Sequence, residues 1–235
     1  MRSPRLCPRC HRPRRTQLLT TSGKVFAFPR KLVLPTGRRG MKMAAGAGLC
    51  CCTVCEDEDL LPDADVSDGS WEDTSGGNSD GNLWNEIEEA MASADDGTSY
   101  VQREITVTST GSYDDAGNEF EIALSNPTGA PDPGVGAVWN CRLRAQIVVV
   151  SGVPSFHGLR CKLMEGSTTI ATGTGSPLAF WTTASYCNPS QAERESVSDY
   201  TNLRLRVACR SDGFVGTITV KHQISTADLH ILCPP

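Results

Sequence analysis

Aromatic side chains are scarce in this sequence, 6% of 235 residues, so a core must be assembled mainly from Val, Ile and Leu. No run of about 18 consecutive apolar residues occurs, which excludes a membrane-spanning helix on length alone. Two long stretches each lack one sign of charge. Residues 1–55 hold 12 of the 22 Lys and Arg and no Asp or Glu, while residues 56–96 hold 15 of the 27 acids and no base. Only from Gly97 onward, with 10 bases and 12 acids, is the mixture that of an ordinary folded surface. No secretion signal is recognised, because the stretch "LLTTSGKVFAFPRKLVLP" is interrupted by Lys24, Pro29, Arg30 and Lys31.

What the first 55 residues do have is arginine, proline and six of the eleven cysteines. Residues 1–40 show neither helical nor strand periodicity, and residues 1–55 are read as a basic, disordered leader, in which Met41 or Met43 would serve equally well as the first residue. Cys7 with Cys10 and Cys52 with Cys55 are two CxxC pairs, with His11 as a spare ligand. Two intervening residues let both sulfurs face one tetrahedral zinc ion. The two pairs stand about forty residues apart, longer than the usual knuckle spacing, and neither sits beside the glycine-and-strand pattern of a zinc ribbon. No metal or other cofactor is favoured on that pattern; zinc on these four cysteines, with nucleic-acid contact, stays as a secondary alternative. A redox CxxC would need a βαβ context, which is missing.

Residues 56–82 are acidic and then rich in Gly, Ser, Asp and Asn, and read as a linker. Leu83, Trp84, Ile87, Ala90 and Met91 follow at helical spacing behind Asn82, which predicts a helix of two or three turns. The period then changes to two. "YVQREITVTS", "EFEIALS", "AVWNCRLRAQIVVVS", "GLRCKLMEG", "TTIATG", "NLRLRVACR", "GTITVKHQIS" and "ADLHILCPP" alternate apolar with polar residues, and "SPLAFWTT" is read as a further strand without a clear phase. Leu203, Leu205, Val207 and Cys209 are placed inward and Arg204, Arg206 and Arg210 outward; Trp139, Cys141, Leu143, Ala145, Ile147 and Val149 form a second inward row. Eight or nine short strands without intervening helices predict an all-β fold, an antiparallel two-sheet sandwich of jelly-roll or Greek-key type. The domain comprises residues 83–235, behind the leader 1–55 and the linker 56–82. The five cysteines within it, Cys141, Cys161, Cys187, Cys209 and Cys233, are odd in number and are expected as packed thiols.

No motif places a histidine beside a nucleophile, and no catalytic residue or enzyme activity is assigned. His222 is expected inward, as core. Arg142, Arg144, Arg204 and Arg206 would form a basic stripe if their strands lay side by side, or would pair across strands with Glu119 and Glu121. Trp139, Trp181, Tyr186 and Phe180 are candidates for stacking on sugar rings. Nucleic acid is not expected as a partner of the domain, which is neither net basic nor studded with strand aromatics.

The order of "SWEDTSGG", "NLWNEIEEAMASADDGTSYV", "FEIALSNPTG", "DPGVGAVWNCRLRAQ", "LRCKLMEGSTTIAT" and "VSDYTNLRLRVAC" resembles that of an uncharacterised jelly-roll-like β-sandwich family found in tailed-phage virion proteins and prophage-like bacterial proteins. The resemblance implies a noncatalytic structural or adhesive module of a phage or prophage-like particle. It would sit in a virion or inside a cell, pair with other structural chains as a homo-oligomer, and need no membrane. A carbohydrate-binding module that holds a glycan is the alternative.

Overall fold

The computed structural model describes residues 17–19, 25–27, 57–74, 82–94, 96–128, 131 and 136–233. The chain divides into two compact units, Met1–Val54 and Cys55–Pro235. In the first, β1 (Gln17–Leu19) and β2 (Val25–Ala27) pair antiparallel, a pairing that the aperiodic leader sequence does not predict. Cys7, Cys10, Cys52 and Cys55 lie outside the described residues.

In the second unit, alternation produces long paired strands. They are β3 (Glu58–Leu60), β4 (Pro62–Ser67), β5 (Glu72–Asp73), β6 (Val101–Val107), β7 (Glu119–Leu124), β8 (Val138–Ser151), β9 (Pro154–Glu165), β10 (Thr168–Gly175), β11 (Thr182–Cys187), β12 (Leu203–Gly213) and β13 (Ile218–Leu232). One sheet has the order β10-β9-β12-β7-β4 and the other β11-β8-β13-β6-β5, with β3 paired to the end of β13. Counted from β6 as 1 to β13 as 8, the orders are 5-4-7-2 and 6-3-8-1, the two Greek keys of a jelly roll.

The inward rows are the predicted ones through Ile147, but Val149, expected inward, is exposed where β8 runs out past the core. Leu203, Leu205, Val207 and Cys209 face Trp139, Cys141, Leu143 and Ala145 across a shared core, all buried. Along β13 the buried apolar positions change from even (Ile218, Val220, Ile224) to odd (Ala227, Leu229, Ile231), and a bulge between Ile224 and Thr226 makes the switch. The sandwich closes beside β10 because Gly173 is bare: a Cβ there would stand 1.8 Å from the Tyr186 carbonyl oxygen of β11. Between β11 and β12 runs an unpredicted short helix, α1 (Gln191–Glu195), started by a reciprocal cap between Ser190 and Glu193.

Three expectations are corrected. Residues 58–73, read as linker, form β3, β4 and β5, paired with β13, β7 and β6. Their anchors are Leu60, fully buried, and Trp71, whose indole donates to Asn118 O at 3.0 Å and meets the Phe120 ring edge-on at 4.8 Å. The helix expected from Leu83 is a single 3₁₀ turn, Trp84–Glu86. Its period does bury Leu83 and Ile87. The Asp65 carboxylate holds the Leu83 and Trp84 N–H groups at 2.7 and 2.9 Å, as at any helix start, but the Ile87 carbonyl accepts from Ala227 N of β13 at 3.3 Å. A carbonyl turned toward the sheet does not propagate a helical ladder. Finally, Cys141, Cys161, Cys187 and Cys209 are buried thiols as expected, but Cys233 is disulfide-bonded.

Candidate functional site

The four arginines do not make one stripe. Arg142 and Arg144 project from β8 in one sheet, Arg204 and Arg206 from β12 in the other. Each is paired. Arg204 and Arg206 share Glu121 at 3.1 and 2.5 Å, Arg144 grips Asp96, and Arg142 bridges Asp59 at 3.0 Å and the fully buried Asp228. Burial pushes the Asp228 carboxyl up from the usual carboxylate range, against the pull of Arg142. Forked guanidinium pairs of this kind fix strand register and leave little charge for a ligand.

The sugar-stacking set is also dispersed. Trp139 is fully buried in the core, edge-on to Tyr200 with ring centroids 6.1 Å apart, and Tyr186 is buried over β10. Neither can present a face to a sugar. Trp181 is half-buried and edge-on to Tyr100 at 5.8 Å; only Phe180 is well exposed.

What the topology does bring together was not assembled from the sequence. Four loops share one end of the jelly roll, in spatial order β10–β11 (176–181), β8–β9 (152–153), β12–β13 (214–217) and β6–β7 (108–118). Hydrogen bonds tie neighbours together: Ile147 N to Leu178 O at 2.8 Å, Phe214 N to Val153 O at 3.2 Å, and Gly213 N to Ser109 O at 2.7 Å. Of the eleven large apolar side chains exposed among the described residues, nine lie in the first three loops or the strand ends that carry them. Val215 is 77% exposed, Phe214 75%, Val153 66% and Phe180 61%. No charged residue occurs in 148–153, 176–181 or 214–217. The fourth loop is polar and carries Asp114 and Asp115.

The conformation of this end is fixed by glycine and by stacked cations. Gly152 and Gly216 turn the hairpins with positive φ, 75° and 74°. On the outer face beside the tips, the Arg210 guanidinium stacks 5.2 Å from the Phe156 ring centroid and 6.0 Å from that of Tyr113, and Arg160 lies 5.1 Å from Tyr113. Bases behind the tips are neutralised: Arg210 by Asp212 at 2.6 Å, Lys221 by Glu104 at 3.6 Å, and Arg160 by Glu119 at 2.5 Å. The Arg210 guanidinium holds the Asp212 carboxyl below the usual carboxylate range. The sequence signal for this end is the trio of fragments "VVVSGV", "PLAFW" and "GFVG": apolar residues stand beside Gly or Pro where turns normally carry polar ones.

Two polar clusters are sealed inside. Ser211 Oγ lies 2.9 Å from His222 Nε2, both fully buried, and His222 Nδ1 has no hydrogen-bond partner. Burial, and then the proximity of His157, pushes the His222 imidazole down to about 3. Cys141, Cys161 and Cys187 meet between the sheets, where hydrogen bonding among them and burial hold the Cys141 thiol well above its ordinary range. Among the described residues, no three His, Cys, Asp or Glu side chains are arranged to hold a metal ion.

Compared with protein-family models and with curated proteins, the sequence matches none.

Proposed function

We propose that the chain is a noncatalytic assembly or attachment module, working through the apolar loop end of its jelly roll. The observation that carries this reading is the concentration of exposed apolar side chains in three adjacent, charge-free loops. Exposed apolar side chains gathered in one place, rather than scattered singly, are typical of contact surfaces. The Ser211–His222 pair has the elements of a nucleophile and base, yet no carboxylate orients the imidazole and neither group reaches solvent. The setting in a phage or prophage-like particle rests on the sequence resemblance. Immunogold labelling of particles from producing cells, with antibody to the second unit, tests it. Label on the particles supports the reading; label confined to soluble protein contradicts it.

A further inference from the structure

We propose that the occupant of the apolar end is a second copy of this chain, docked end to end about a two-fold axis through the β8–β9 loop. The inference rests on the reading of this end as an assembly surface. Three arguments select a second copy. The first is area: Val153, Leu178, Phe180, Phe214 and Val215 at the tips are half to three-quarters exposed, and with the adjoining end of β8 they present on the order of several hundred Å², approaching the roughly 800 Å² that one partner contributes to a standard interface. The second is charge. An isologous interface opposes a surface to itself, so a patch of one sign repels its own copy, whereas residues 148–153, 176–181 and 214–217 carry no charge to repel.

The third is the order of the loops. The β8–β9 loop stands in the middle of the apolar three, flanked by β10–β11 on one side and β12–β13 on the other. A two-fold axis at that middle loop lays Leu178 and Phe180 of each copy over Val215 and Phe214 of the other. The acidic β6–β7 loop then lies beyond the partner's β10–β11 loop, in solvent. Among the described residues, Arg160, Arg210 and Lys221 behind the tips are each paired with a carboxylate, which weakens their pull on an anionic surface.

Sedimentation velocity on the full chain, from low to high micromolar concentration, tests this. The expected result is a concentration-dependent dimer. Phe214→Asp and Val153→Asp, both at exposed tips, should weaken it by roughly thirtyfold or more, the effect of losing a buried interface anchor. Far-ultraviolet circular dichroism and melting should stay unchanged. Val66→Asp, exposed on β4 away from these loops, should leave dimerisation intact. A monomer throughout, or a dimer insensitive to both tip substitutions, overturns the proposal. So does a monomer that co-sediments with phosphatidylcholine vesicles and loses that on Phe214→Asp, which would give the end to a lipid surface. A monomer that nevertheless labels particles removes the second copy and leaves the module reading standing. A tip-dependent dimer absent from particles does the reverse.

Discussion

At His222, an imidazole with a hydroxyl on one nitrogen and no partner on the other gains a proton far less readily inside the sandwich than in water. Its ordinary value of 6.5 falls to about 3 in the fold. The unfolded chain therefore binds the proton first, and stability held above pH 6.5 is lost as the pH falls toward 3. Urea unfolding at pH 7 and pH 5 should show the wild type losing about 2 kcal/mol more than His222→Gln, which keeps a partner for Ser211 but does not titrate in this range. Equal losses in the two proteins would contradict the sealed, neutral histidine. Asp228 presents the complementary case, a buried carboxylate held by Arg142. Arg142→Leu should cost roughly 3–5 kcal/mol, because it strands the charge. Adding Asp228→Asn should recover part of that, and a double-mutant cycle by chemical denaturation reads the coupling.

Among the elements, period-two alternation made β6 to β9, β12 and β13 legible from the sequence, since every second residue along Trp139–Ala145 or Leu203–Cys209 is apolar and buried. Even the bulge of β13 leaves a trace, the move of apolar residues from Ile218, Val220 and Ile224 to Leu229 and Ile231. β3 to β5 were hidden because the acidic stretch that holds them lacks sustained period-two alternation, and its two large anchors, Leu60 and Trp71, stand eleven residues apart. If those strands belong to the sandwich, Leu60→Ala should destabilise by about 2–5 kcal/mol and Trp71→Ala by about 3–5 kcal/mol in urea titrations. Unchanged midpoints would restore the linker. At Trp84 the opposite holds: the helical period is present and Asp65 caps the first N–H groups, but Ala227 takes the Ile87 carbonyl that a longer helix needs. The candidate site was the least legible part. Its fragments are readable one by one as apolar turns, but only the jelly-roll connection order sets three of them side by side.

For the whole molecule, the two ends and two faces of the sandwich differ in kind. The outer faces are laced with ion pairs, the interior holds neutral polar groups, and the exposed apolar surface gathers at the loop end. Hydrogen–deuterium exchange on the full chain, compared between low and high micromolar protein, addresses that division directly. The account predicts added protection at high concentration confined to residues 148–153, 176–181 and 214–217. Protection on the strand faces or at the opposite end, with these three loops exchanging freely, would contradict it.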